Sequence, residues 1–266
     1  MLSYQHIYHA GNLADVHKHA LLAWMLTYLT RKDKPISYIE THAGRGLYDL
    51  SSDAARKTGE AAQGIEAVSG WFAADHPLAQ VLADLHRAHD ATSYPGSPLI
   101  AGKLLRATDR MHLAEMHPTE HAALRQAMRG YPAKCYQQDG FALAHALTPP
   151  TPRRGLMLID PSYEIKDDYA QIPKHIARIT RAWNVGTICV WYPLLTSQLH
   201  APMLDALIAK YPDALRHEVR FPPARPGHGM IGSGLFVINP PYGVSHAATQ
   251  LGTLFGTLGH PPQTRC

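Results

Sequence analysis

The sequence predicts an α/β protein: a mostly parallel sheet carrying helices on both faces, with a small helical insertion near its first strand. Three features carry this reading. Beyond residue 110, short apolar runs alternate with stretches of helix length. The early runs each end in a polar or glycine-rich step suited to ligand contact. No internal repeat or low-complexity tract offers a competing architecture.

An N-terminal stretch dense in His, Asn and Asp leads into a helix over 15–30, where apolar residues recur at helical spacing. Residues 35–39 form a strand that runs into Glu40-Thr41-His42-Ala43-Gly44-Arg45-Gly46. Such a glycine turn lets backbone approach a nucleotide-like ligand, although a plain tight turn fits the same residues. Residues 51–93 are Ala-rich, lack strand alternation and are punctuated by Gly59, Gly64 and Pro77, so they read as a helical insertion. Tyr94-Pro95-Gly96-Ser97-Pro98 caps a helix to about 107, with proline at its start. Strands follow over 110–115, 134–138, 156–159 and 186–192, each trailed by a helix, over 118–128, 141–147, 167–183 and 197–210. Two closing strands over 214–220 and 234–239 bring the sheet to seven. The expected organisation is a single domain over 1–266 with the insertion at about 51–93 inside it.

Composition sets bounds. With 266 residues, 45% hydrophobic and 17% charged, the chain is globular and long enough for a full core. A net charge of +4, with 18 histidines besides, suits an anionic partner. Cys135, Cys189 and Cys266 are far apart and form no CxxC, which argues against a disulfide framework or zinc knuckle and for a reducing setting. The opening Met1-Leu2-Ser3-Tyr4-Gln5-His6 lacks the pattern of a signal peptide, and no apolar run approaches the roughly 20 residues that span a bilayer. A cytoplasmic protein without a membrane association is expected, monomeric by default.

The chemistry concentrates at Asp160-Pro161-Ser162-Tyr163, directly after the apolar run 155–159. The Asp160 carboxylate and the Pro161 carbonyl can each accept one hydrogen of an exocyclic amine, and Tyr163 can stack on the ring that bears it. Along the same sheet edge stand His42, Gly44 and Gly46 after the first strand, Glu115 after the second and Asp139-Gly140 after the third. An acid after the second strand suits ribose hydroxyls, and an Asp with a neighbouring N–H after the third suits an adenine edge. Taken singly, each acid fits equally well as a helix cap; the ordered set of four is what points to a nucleotide cofactor. Metal chemistry is the rival, since His6, His9, Asp15, His17 and His19 crowd the N-terminus. Their spacing fits no dense ligand motif, and His17 and His19 point to different helix faces, so no metal is expected.

The order of these sites resembles a Rossmann-like class I S-adenosylmethionine-dependent methyltransferase, with Asp160-Pro161-Ser162-Tyr163 similar to the Asp/Asn-Pro-Pro-Tyr motif of amino-group methylases. More narrowly, Tyr4-x-His6-x-x-His9-Ala10-Gly11-Asn12-x-Ala14-Asp15-Val16-x-Lys18-His19 resembles the signature of the RlmJ family, which methylates N6 of adenine-2030 in 23S ribosomal RNA. The resemblance continues through Thr41–Gly46, Tyr94–Pro98, Glu115, Asp139-Gly140, Asp160–Glu164 and Gly232–Tyr242, across essentially the whole chain. It implies S-adenosyl-L-methionine as cofactor, held by His19, His42, Ser97, Glu115, Asp139, Gly140 and Asp160, with Gly44 in the glycine turn. It implies Asp160 as the catalytic residue, with Pro161 and Tyr163 beside it, and Tyr4 and Lys18 facing the RNA. Ser162 departs from the family's usual proline.

Asn239-Pro240-Pro241-Tyr242 is formally closer to the methylase motif, but it follows the last strand. It is read as a structural turn, at most part of a substrate wall. Lys18, Arg45, Lys57, Arg153, Arg154 and Arg225 are candidate phosphate contacts, each with a solvated surface charge as its plainer reading. The motif reads an amino group and not its polymer, so DNA or another RNA stays open as substrate. A non-catalytic RNA- or cofactor-binding role is the other alternative, against which the intact Asp160, Pro161 and Tyr163 argue.

Overall fold

A computed structural model describes residues 4–259 apart from 226 and 228; Cys266 lies outside the described residues. Helix α1 (Leu13–Thr30) starts ahead of the expected position because the Asn12 side chain accepts the Asp15 N–H at 2.9 Å and caps it. The helix is buried around most of its circumference, and Asp15, His17, Lys18 and His19 are buried with it. Buried polar groups must find partners, and those partners build much of the site described below.

Strand β1 (Ser37–Glu40) is wholly buried. Within and beside the stretch expected to be helical, two short strands, β2 (Leu47–Asp49) and β3 (Ser93–Pro95), pair antiparallel as a separate ribbon. Three residues are too few for an alternation pattern to register, which is why the sequence concealed them. Between them lie α2 (Asp53–Thr58), α3 (Glu60–Gln63) and α4 (Pro77–Ala88). In α4 the buried Leu78, Val81 and Leu85 form one stripe, with Pro77 at its start.

The next elements alternate as expected: α5 (Ser97–Leu104), β4 (Arg110–Ala114), α6 (Pro118–Ala127), β5 (Ala133–Tyr136), α7 (Gly140–Leu147), β6 (Gly155–Ile159), α8 (Asp168–Ala182), β7 (Thr187–Leu195), α9 (Ala201–Lys210), β8 (Leu215–Arg220) and β9 (Met230–Ile238); α10 (Val244–Gly256) follows them. The sequence reading stopped at residue 242 and left α10 unassigned. Strands β7 and β9 also run longer than expected, because they pair antiparallel over most of their length.

The seven strands stand in the order β5-β4-β1-β6-β7-β9-β8. All neighbours from β5 to β7 are parallel, and β9 runs antiparallel between β7 and β8. β6, the all-apolar run Gly155–Ile159, is buried on both faces, as a central parallel strand must be. One apolar cluster packs α1 and α10 on one face of the sheet; the other packs α8 and α9 on the opposite face. Among the described residues, no helix is long and apolar enough to cross a membrane.

Candidate active site

The strand order reverses between β1 and β6, and this opens a crevice at the carboxyl edge of the sheet. A cavity of about 490 Å³ lies there, within the ~300–1,000 Å³ of typical ligand sites. The residues expected to serve catalysis, cofactor and RNA line it: Asp160, Pro161 and Tyr163; His19, His42, Gly44, Ser97, Glu115, Asp139 and Gly140; Tyr4 and Lys18.

The β1 side is built for a polar, flat ligand. Gly44 and Gly46 adopt φ of +62° and +78°, a turn that side chains resist. The Gly44 N–H donates to Glu115 Oε2 at 2.9 Å and the His117 N–H to Oε1 at 2.7 Å, leaving each oxygen a second lone pair for a ligand. Burial raises the Glu115 pKa, although these two N–H bonds oppose it. Asp139 is an N-cap, accepting the Ala142 N–H at 2.7 Å, so the plain reading of that acid holds alongside its place in the cavity. Gly140 lets α7 start against the Thr41 carbonyl, where a Cβ would come within 1.9 Å of the oxygen. His42 bonds Thr41 Oγ1 at 2.8 Å and meets Phe141 edge-on. Burial lowers its pKa to about 4 and that of His19, bonded to the Tyr94 hydroxyl at 2.9 Å, to about 3. Both imidazoles are therefore neutral near pH 7.

The β6 side is an ionic chain. Lys18 Nζ donates to Asp160 Oδ2 at 2.6 Å and pairs with Asp15 Oδ1 at 3.1 Å. Burial by itself would lower the Lys18 pKa, but the charges of Asp160 and Asp15 outweigh it and raise the value. Burial would likewise raise Asp15, yet His6 and Lys18 hold it well below the ordinary carboxylate range. Lys18 is thus neither a solvated charge nor open to a phosphate; it is fixed on Asp160. Tyr4 extends the chain outward, sharing a hydrogen bond with His6 Nδ1 at 2.8 Å while His6 Nε2 bonds Asp15 at 2.8 Å. The Tyr4 N–H also donates to Glu164 Oε2 at 3.2 Å, which ties the N-terminal segment to the loop after β6.

Tyr163 sits at φ +56°, a conformation that costs a non-glycine residue roughly 1–3 kcal/mol. Its hydroxyl donates to the Trp191 carbonyl at 2.7 Å, and Tyr169 stacks on its ring at 4.6 Å. Those contacts hold the strained residue in place. Ser162, where proline would stiffen the turn, accepts the Glu164 N–H only at 3.5 Å.

Two lining or supporting residues escaped the sequence reading. Trp191 faces the cavity from β7 without any local motif to announce it. Glu40 lies fully buried beneath the cavity, accepting hydrogen bonds from Ser97 Oγ and, at 2.8 Å, from the Tyr38 hydroxyl. Its place as the last residue of β1, just before the glycine turn, was the available signal. Burial, opposed by those two bonds, raises its pKa to about 8. A carboxyl raised on folding contributes stability that is present below its unfolded pKa and is lost as pH rises through 8. Denaturant titrations of the wild type should therefore show stability falling by roughly 4 kcal/mol between pH 5 and 9 through this group. Glu40→Gln, which mimics the protonated form, should flatten that decline; an equally steep decline in the variant would assign it elsewhere.

Of the crowded N-terminal residues, His6 and His19 both face Asp15, at 2.8 and 3.8 Å, while His9 bonds Glu60 and His17 bonds Ser233 and His217; His19 also bonds Tyr94. Other expectations need correction. Arg45 is spent on Glu120 through two hydrogen bonds. Arg153 and Arg154 precede β6, at the edge opposite the cavity, where Arg154 serves the Leu29 carbonyl. Among the phosphate candidates, Lys57 and Arg225 stay on loops or helices outside these pairings. Asn239-Pro240-Pro241-Tyr242 also lies at the opposite edge, because Ile238 pairs with Ile188 near the start of β7. Asn239, at φ +51°, donates from Nδ2 to the carbonyls of Asn184 and Gly186 at 3.0 and 2.8 Å. It is a structural turn with no place in a substrate wall. Asn239→Ala is expected to cost roughly 1–3 kcal/mol of stability while turnover per folded molecule stays at the wild-type value; a selective loss of turnover would contradict this placement.

Comparisons with known proteins show the family. The family model described as "Ribosomal RNA large subunit methyltransferase D, RlmJ" matches residues 33–263. Ribosomal RNA large subunit methyltransferase J of Escherichia coli (strain K12) is 40% identical over 249 residues, covering 91% of this chain and 88% of that protein. The protein of the same name from Haemophilus influenzae (strain ATCC 51907 / DSM 11121 / KW20 / Rd) is 39% identical over 252 residues, again covering 91% and 88%. The crystal structure of protein LPL1258 from Legionella pneumophila superposes with a TM-score of 0.84 at 35% identity, covering 96% of this chain and 95% of that one. With sequence, strand order and crevice in agreement, this chain belongs to the RlmJ family of ribosomal RNA large subunit methyltransferases.

Proposed function

We propose that this protein methylates the exocyclic N6 of one adenine of 23S ribosomal RNA, adenine-2030, using S-adenosyl-L-methionine. The observation that carries this reading is the Lys18–Asp160 pair at the head of Asp160-Pro161-Ser162-Tyr163, set in the same cavity as Glu115 and Asp139. The lining suits the cofactor: Glu115 has spare lone pairs for ribose hydroxyls, Asp139 and the Gly140 N–H for an adenine edge, and Ser97 and the neutral His42 for the amino-acid end. The cofactor supplies an electrophilic methyl on a sulfonium, so the protein's task is alignment more than acid–base power.

Asp160 gives one oxygen to Lys18 and keeps the other for the amine, while the Pro161 carbonyl takes the second amine hydrogen. Both acceptors stabilise the positive charge that develops on N6 as the bond forms. The proton leaves to Asp160 or to water once the methylated amine has become acidic. The base stacks against the face of Tyr163 that Tyr169 leaves open, and it must be unpaired or flipped out to get there. Tyr4 stands at the RNA side, Lys57 and Arg225 are the candidates for phosphate contact, and residues 51–93 form an insertion within one domain.

The test is transfer of labelled methyl to protein-free 23S rRNA, followed by digestion and mapping. N6-methyladenine at one site supports the reading. Label on DNA or on other RNAs in preference to 23S rRNA would move the substrate while keeping the chemistry.

A further inference from the structure

Gly232-Ser233-Gly234 belongs to a sequence match that the proposed chemistry leaves unused, and β9 shows what it supports. Gly234 makes room for Tyr192, whose ring a Cβ there would meet at 2.2 Å. Ser233 points to the other face, toward α1, and is fully buried. Its Oγ lies 2.9 Å from Trp191 Nε1 and 2.8 Å from His17 Nδ1. His17, also fully buried, places its Nε2 2.9 Å from His217 Nδ1 on β8.

The hydrogens in this chain run in one direction. An indole N–H only donates, so Ser233 accepts from Trp191. The Ser233 hydroxyl then has one hydrogen to place in a buried setting, and His17 Nδ1 is the acceptor within reach. His17 Nε2–H in turn donates to His217 Nδ1. Burial lowers the pKa of both imidazoles, and His217 further disfavours charge on His17 while Glu218 opposes the drop at His217, so each keeps the single proton this scheme requires.

Trp191 is the member that reaches the cavity. Its ring lies 5.6 Å from Lys18 Nζ and 6.0 Å from the Tyr163 ring, and its carbonyl accepts the Tyr163 hydroxyl. We propose that Ser233 and His17 are positioning residues for methyl transfer: they fix the Trp191 indole, which in turn seats Lys18 and Tyr163 around the target base. This rests on the adenine-methylating reading of the cavity above.

The experiment is a double-mutant cycle with single-turnover kinetics. Ser233→Ala leaves the buried indole N–H without an acceptor and should slow methyl transfer roughly ten-fold, with cofactor affinity unchanged. Trp191→Phe has no N–H to satisfy, so adding Ser233→Ala to it should cost nothing further. His17→Leu should reproduce part of the Ser233→Ala defect and His17→Asn, which keeps an acceptor near Nδ1, should restore it. Multiplicative effects in the Ser233/Trp191 cycle, or an inert Ser233→Ala, would overturn the proposal. Indole N–H exchange of Trp191, faster in Ser233→Ala, reads the same link without substrate. A wild type inactive on rRNA with that exchange still coupled would sink the substrate reading alone.

Discussion

Asp160→Ala is expected to abolish methyl transfer at the chemical step, lowering the single-turnover rate on 23S rRNA by roughly 10²–10³-fold or more, the range found when one charge-stabilising partner is removed from an active site. Asp160→Asn is the sharper variant. The side chain must offer one acceptor to Lys18, 2.6 Å away, and another to the amine. A carboxamide has only one oxygen; its NH₂ would face either an ammonium or an amine, donor against donor. Although amide versions of this motif exist among amino-group methylases, the lysine in this chain makes Asn a poor replacement. Its rate should lie within about ten-fold of the Ala variant. Near-wild-type transfer by Asp160→Asn would show that Lys18 and the amine do not compete for this carboxylate.

Lys18→Met carries the largest stability effect. It leaves the buried Asp15 and the half-buried Asp160 around an apolar side chain, and breaking a buried pair from one side typically costs about 3–5 kcal/mol. Lys18→Arg should rescue little, because a planar fork does not fit between two carboxylates set for a compact ammonium. The pH dependence has a definite sign. Asp15 is held below its ordinary pKa in the wild type, so its contribution is present above the unfolded value near 4 and is lost as pH falls through the folded value. The deficit of Lys18→Met should therefore be widest at pH 7 and shrink toward pH 3, below the unfolded value, where a proton can take the place of the missing ammonium. Urea denaturation at both pH values measures it; a deficit independent of pH would mean that packing, and not the ion triad, is what Lys18 supplies.

Much of the fold was legible because its signals are local. β6 is a run of apolar residues bounded by an acid, and α4 carries an apolar stripe behind a proline; both patterns survive in one dimension. β2 and β3 were not legible, since a three-residue strand gains its identity from the partner it pairs with. The same division runs through the site. The acids and glycines at strand ends could be named because the carboxyl edge of a parallel sheet is where such residues gather. Glu40 carried that same signal and was passed over, whereas Trp191 could not be named, being an ordinary strand residue until the fold sets it against Lys18.

Sequence by itself determined the order of the seven sheet strands along the chain, the family and the cluster of residues at one edge, all of which depend on which side chains follow which. Tertiary structure decided the state of those side chains. It buried Lys18 between two carboxylates, spent Arg45 on Glu120, sent Arg153 and Asn239 to the far edge, and set His6 on Asp15 while giving His9 to Glu60 and His17 to Ser233. Charge and hydrogen bonding depend on distance and burial, and these are fixed only when segments remote in the chain, such as residues 18 and 160, pack against each other.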